Sequence, residues 1–344
     1  MVHPGGGRTL SLGLRIAAAW GGGLVLLAAA MLAGLAAGSV ALSPAEVWQA
    51  LFHPLGLPEA HVSIIRDIRL PRVLLGASVG AALALAGTAF QGLLRNPLAD
   101  PYIVGTSAGA SLGAALAIEL RLPSAWGLSP VPALAFPGAV LSMLAVYRLA
   151  RMGPTLPVET FLLAGVMVGS FTQALVSFLM TLGHQDLPRI IFWLMGSLSN
   201  ARWTDLAMLL PYLALGAVLL YRLSVPLNVM SLGEETAWSL GVEVERTKVW
   251  VVLAGSLVTA AAVSVSGLIG FLGLLVPHLA RMLVGPDHRV LFPAALLGGG
   301  AFLVLADLAA RVLLASRELP VGVVTALVGA PFFFWLLHRR RGLT

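Results

Sequence analysis

Between Arg72 and Arg95 lie 22 residues, Val73 to Leu94, without a single charge, and between Arg15 and Glu46 lie 30 more. The hydrocarbon core of a bilayer is about 30 Å thick, which an α-helix crosses in about 20 apolar residues. Stretches of this kind recur along all 344 residues. A helix satisfies its own backbone hydrogen bonds inside lipid. The pattern therefore predicts an all-α, polytopic membrane protein rather than a soluble domain with a large core.

Composition supports this reading. Hydrophobic residues make up 58% and charged residues 10%, against roughly 45–50% and 25% in soluble chains. Cysteine is absent, which excludes a disulfide framework and thiolate metal ligation. The 38 glycines would weaken water-exposed helices, but small residues let membrane helices approach closely. The first apolar stretch, Trp20 to Val40, is too long for a signal-peptide core and reads as a retained first span. The net charge of +6 does not point to nucleic acid, because its arginines are scattered between the spans. The one basic run, Arg339-Arg340-Arg341, follows a span and marks a cytoplasmic end.

Reading from charge to charge predicts about ten transmembrane helices: 16–40, 73–94, 102–118, 131–147, 161–183, 206–221, 249–268, 270–284, 291–314 and 320–338. Residues 1–344 form one transmembrane domain, with a short tail at 1–15 and a basic tail at 338–344. Ten spans put both termini on one side. With the termini inside, cytoplasmic segments hold 13 basic residues and outer segments eight, in the sense of the positive-inside rule. The apolar run 249–284 is split because Gly267, Gly270, Gly273 and Pro277 interrupt it.

Two segments between spans are expected to hold short helices. Asp186 to Asn200 contains an apolar run too short to span and is placed at the outer surface. Ser231 to Gly241 lies in the cytoplasmic loop between spans six and seven. There Ser231 and Glu234 have capping-box spacing, and Gly241 is a natural stop. Its two glutamates and lack of a basic face favour docking to a protein over lying on lipid headgroups.

Motifs for chemistry are weak. Gly105-Thr-Ser107-Ala-Gly109 fits the G-x-S-x-G pattern of hydrolases, which has meaning only at a strand-to-helix turn. Here it opens a membrane helix and continues to Gly113, so packing of small residues explains it better, as at Gly76/Gly80 and Gly165/Gly169. The seven histidines show no metal spacing, and no phosphate-binding glycine loop precedes Lys248. The chain is expected to bind no cofactor of its own. Asp307 and Arg311, four residues apart, can pair on one helix face near the outer end of span nine. No isolated carboxylate falls at the middle of a span, where an ion-coupled carrier needs one.

Several segments converge on one family. Ile68-Arg-Leu-Pro-Arg72, Gly80-Ala-Ala through Gln91, Arg95-Asn-Pro-Leu-Ala-Asp-Pro101 and Gly105-Thr-Ser-Ala-Gly109 resemble the FecCD permeases. So do Gly233-Glu-Glu-Thr-Ala237 with Leu240-Gly241, Gly270-Phe-Leu-Gly-Leu through Pro277-His278, Glu318-Leu-Pro-Val-Gly322 and Gly329-Ala-Pro331. These are membrane subunits of ATP-binding-cassette (ABC) importers for iron chelates, haem and vitamin B12. The match runs in order from about residue 66 to the C-terminal end.

The resemblance implies a type II ABC importer permease architecture with ten spans per subunit, in the cytoplasmic (inner) membrane of a bacterium or archaeon. It implies a homodimer, two ATPase subunits carrying ATP and Mg on the cytoplasmic face, and a periplasmic or extracellular binding protein that delivers substrate. Arg69, Arg72 and Arg311 match arginines that receive glutamates of the binding protein and are expected to face outward. Ser231, Gly233, Glu234, Glu235, Thr236, Ala237 and Gly241 match the coupling helix that sits on the ATPase. Leu156, Pro157, Val158, Glu159 and Thr160 match the cytoplasmic gate. Val158 and Glu159 there replace small hydroxyl residues of the vitamin B12 importer. Gln91, Ser170, Gln173 and Ser177 are candidates to line the translocation path. The expected cargo is a large metal chelate, first a ferric siderophore, with cobalamin or haem as alternatives. An ion-coupled secondary carrier is the competing class.

Overall fold

A computed structural model describes residues 11–38, 40–54, 56–124, 129–182, 186–314 and 317–341. The first ten and last three residues, in the predicted tails, lie outside the described set. Among the described residues the chain is helical, with one isolated bridge, Met152 to Thr155, and no strand.

Ten helices occupy the ten predicted spans: α1 Leu12–Ala36, α4 Leu70–Leu93, α5 Thr106–Glu119, α6 Pro130–Ala150, α7 Val158–Leu182, α9 Trp203–Arg222, α12 Val244–Ser266, α13 Leu272–Val284, α14 His288–Val312 and α15 Val321–Arg341. Short helices α2 Pro44–Phe52, α3 Glu59–Ser63, α8 Leu187–Leu194, α10 Ser224–Met230 and α11 Glu234–Ser239 lie between them. Among the described residues seven helices are long and apolar enough to cross a membrane, counting α3 to α4 as one path of 35 residues through the π-helical turn Ile64–Arg69.

Burial orders these helices. Helix α4 is the axis, and 89% of its apolar window is buried against α12, α13, α14 and α9. Helices α12 and α14 are 72% buried, whereas α1 and α7 reach only 11% and 22%. Glycine allows the tight crossings. A Cβ on Gly80 would run into the Gly299 carbonyl, and one on Gly299 into that of Gly80. Gly109 and Gly138 block each other in the same way between α5 and α6. At such contacts backbones touch and van der Waals packing replaces the hydrophobic drive that lipid does not supply.

The apolar run 249–284 breaks where its glycines predict. Helix α12 stops at Gly267, with φ +68°, and α13 begins after Phe271, with φ +66°. Backbone groups freed inside a membrane need partners. Tyr102 supplies them: its hydroxyl accepts from the Ile269 N–H at 3.0 Å and donates to the Ile269 carbonyl at 3.1 Å.

Candidate functional site

Three places carry the predicted roles. At the end expected from the sequence to face outward, Arg69 and Arg72 stand at the start of α4 and Arg311 in the last turn of α14. All three turn inward. Arg69 and Arg72 are 4% and 6% exposed. Arg72 donates to both oxygens of Asp307 at 2.9–3.0 Å and to Glu318 at 2.9 Å. Arg311 pairs with Asp307 at 3.1 Å, so the four-residue spacing does bring them together, and it also donates to the Gly34 and Ala37 carbonyls. Arg69 donates to the carbonyls of Leu35, Ala36 and Val40. The last carbonyls of α1 lack helical partners and carry the negative end of its dipole, so guanidinium groups are drawn to them. The expectation that these arginines face outward is therefore corrected: they staple α1 to α4 and α14.

Arg121, Arg189, Arg202 and Arg317 are exposed at the same end. Hydrogen bonds from Arg121 and then Arg189 hold the Asp186 carboxyl below its ordinary range. Arg189, Arg202, Asp205, Asn200 and Trp193 line a concavity of about 840 Å³ there.

The second place is α11, at the opposite end. The capping-box reading of Ser231 is corrected. Helix α10 already runs up to Met230, and the Ser231 hydroxyl turns back to donate to the Asn228 carbonyl at 2.6 Å. Helix α11 starts three residues later from Gly233, at φ +119°. It stops at Gly241, φ +84°, where the N–H groups of Gly241 and Val242 bond back to Trp238 and Ala237. Ala237 is buried beneath the helix, while Glu235, Thr236, Trp238 and Leu240 face out.

The third place is the start of α7. Leu156 is buried, its N–H donating to Glu245 at 2.6 Å and its carbonyl accepting from Lys248 at 3.5 Å. Pro157, Val158 and Thr160 are partly buried and Glu159 is exposed. Helix α7 packs on α5 and α6 and leaves its other side open, with Leu163, Val166, Met167, Phe171 and Phe178 uncovered. Ser170, Gln173 and Ser177 lie exposed on the same helix. Gln91 does not join them, and that assignment is corrected. It is buried on α4, donating to the Gly273 carbonyl at 3.2 Å and accepting from Arg281 at 3.0 Å.

The serine of the G-x-S-x-G stretch lies in the first turn of α5, following Gly105 at φ +78°. That is not a strand-to-helix turn, and Gly109 and Gly113 both abut the α6 backbone. Among the described residues no group of three potential metal ligands assembles.

A bundle of apolar helices with polar clusters at its two ends, a presented cytoplasm-type loop helix and an open lateral face is the form of a membrane permease. The family model described as the FecCD transport family matches residues 26–339, and the chain belongs to that family. It is 48% identical to the cobalamin import system permease BtuC of Halobacterium salinarum, over 83% of this chain and 76% of the relative. Identity to the hemin transport permease HmuU of Yersinia pestis is 40%, covering 92% and 94%. To the Fe(3+) dicitrate permease FecD of Escherichia coli it is 38%, covering 92% and 99%. A solved structure of a metal-chelate type ABC transporter in an inward-facing conformation superposes with TM-score 0.82 at 33% identity, covering 93% of this chain and 98% of that one. The chain is a multi-pass transmembrane subunit of the ABC class.

Lys248 and Glu245 escaped sequence reading as site residues. A signal was present: the chain's one lysine stands at the head of an apolar run, three residues after a glutamate. Glu318 belongs to one of the family motifs, but its pairing with Arg72 across 246 residues leaves no trace in spacing.

Proposed function

We propose that this chain is the permease of an ATP-driven importer for a large metal chelate, set in a cytoplasmic membrane with both termini on the cytoplasmic side. The observation that carries the reading is α11. Ala237 holds it from below, and Leu232, Trp238 and Leu240 stand around Glu235 outside the spanning helices, with Trp238 76% exposed. Large apolar side chains gathered on a polar loop mark a protein-interaction surface, and tryptophan is prominent among residues that dominate such interfaces. The partner is a separate ATPase, which supplies ATP and Mg, while a binding protein delivers cargo at the other end.

The open side of α7 faces a second permease chain across the path, lined in part by Ser170, Gln173 and Ser177 and closed below by Leu156 to Thr160. The second chain is taken to be another copy. Relatives named FecC and FecD, both Fe(3+) dicitrate permeases of Escherichia coli, make a mixed pair the alternative. Cobalamin is the first cargo to offer, because the cobalamin permease relative shares 48% identity against 40% and 38% for the hemin and ferric dicitrate relatives. Val158 and Glu159 depart from the vitamin B12 importer at the gate, so a ferric siderophore and haem are offered beside it. An ion-coupled carrier is disfavoured because the carboxylates buried on span helices among the described residues are paired with arginine, Asp307 with Arg72 and Arg311 and Asp205 with Arg202.

Proteoliposomes holding this chain with its ATPase and binding protein, offered the three cargoes in parallel, test the proposal. ATP-dependent accumulation of one cargo is expected. Accumulation on an imposed proton or sodium gradient without ATP would overturn it. Glu235→Arg is expected to weaken ATPase association about tenfold, read by co-purification. Unaltered assembly would remove α11 from the interface.

A further inference from the structure

We infer that Lys248 is the joint through which displacement of α11 reaches α7. The inference rests on the proposal that α11 meets the ATPase, and it assigns a positioning role to a residue outside that surface.

The side chain of Lys248 is 4% exposed at the head of α12. An ammonium group has three donors, and all three are engaged: Glu234 at 2.7 Å, Glu245 at 2.9 Å and the Leu156 carbonyl at 3.5 Å. Glu234 is the first residue of α11, Glu245 lies on α12, and Leu156 stands two residues before α7. Glu245 completes the circuit by accepting the Leu156 N–H with its second oxygen at 2.6 Å. One buried cation therefore joins the consecutive helices α11 and α12 to the segment before α7, 92 residues away, and both backbone groups of Leu156 are tied into it.

The slack in this linkage is small. Pro157 follows Leu156 and restricts the backbone of both residues, so a shift of Leu156 is passed to the first turn of α7. Helix α7 is packed on one side only, which leaves it free to tilt. Helix α11 has little packing of its own beyond Ala237 and is short, six residues. Its orientation relative to α12 is set largely by the Glu234–Lys248 pair. The pair is buried on the lysine side and half-open on the glutamate side, at 35% exposure. Salt screens such a pair less than an exposed one, and Lys248 keeps Glu245 as its counter-charge at 2.9 Å when Glu234 is lost.

Glu234→Gln is the informative variant, since it cuts α11 from the joint while leaving Lys248, Glu245 and Leu156 connected. In the reconstituted complex of permease, ATPase and binding protein, ATPase association and basal ATP hydrolysis are read beside transport, and the Lys248 variants, outside the docking surface, are expected to keep both at wild-type levels. Cargo imported per ATP hydrolysed is expected to fall by about three- to tenfold. Lys248→Met is expected to do the same or more, and Lys248→Arg to restore most of the ratio. A wild-type transport ratio in Glu234→Gln would overturn the inference. So would loss of ATPase association in that variant, because Glu234 would then belong to the docking surface. Glu235→Arg separates the two readings: intact assembly there removes the α11 interface itself, whatever Glu234→Gln does. If Lys248→Met does not fold, Glu234→Gln still decides.

Discussion

Asp307→Ala is expected to unfold the end of the bundle where α1, α4 and α14 meet. Its carboxylate is the one negative group shared by Arg72 and Arg311, four short contacts converge on it, and its side chain is 4% exposed. Without it two buried guanidinium groups would stand near a third, Arg69, whose bonds go to neutral carbonyls. Removing one partner from a buried ion pair costs about 3–5 kcal/mol because the remaining charge stays desolvated. A folded domain has only about 5–15 kcal/mol in total. Thermal unfolding in detergent should show a large drop, and added salt should change it little, since buried charges are poorly screened. Glu318→Gln is the contrast. Its carboxylate is 46% exposed, so its pairing with Arg72 is worth about 1 kcal/mol or less. A small effect of Asp307→Ala would mean that the arginine layer is not what holds α1 in place.

Gly80→Ala should be nearly as damaging, though it adds a single methyl group. The new Cβ would meet the Gly299 carbonyl and carbon, with the Leu303 Cβ 2.8 Å away. Most of these are backbone atoms of a packed helix and cannot rotate aside. The two helices would have to part, and overpacking of this kind costs about 1–3 kcal/mol. Gly169→Ala makes the control. A Cβ there meets nothing within 4 Å, and alanine favours a helix over glycine by about 1 kcal/mol. It should therefore be neutral or mildly stabilising by the same thermal assay. Equal effects at the two sites would contradict the crossing of α4 and α14.

Those two glycines also mark the limit of what the sequence reveals. Gly80 and Gly169 each belong to a small-xxx-small pair, and the pattern treats them alike. Only the neighbour across the crossing separates them. The ten helices were legible because charge and its absence map directly onto the bilayer, and the break at Gly267 to Phe271 because glycines interrupt a run too long for one span. Local capping rules gave a mixed result. The Ser231–Glu234 spacing misplaced the start of α11, since the chain was already helical up to Met230. Ser43–Glu46 has the same spacing and forms a complete capping box at α2, which went unread. The arginines went the other way: their positions near helix ends were right, but no one-dimensional pattern tells an arginine facing water from one facing the end of a neighbouring helix. Gln91 was placed by its amide alone, and its partners, Gly273 and Arg281, lie more than 180 residues away.

The hydroxyl of Tyr102 gives the broken run between α12 and α13 a different significance. An interruption of a helix within a membrane ordinarily recruits water to its bare amides, and a file of water molecules conducts protons. Here a phenol carried in from another part of the chain meets both the N–H and the C=O of Ile269. The two backbone groups of Ile269 are thus satisfied without water. An importer must let a bulky solute through while the membrane around it keeps its proton gradient, and a break whose central residue is bonded from within the protein needs less water to satisfy it.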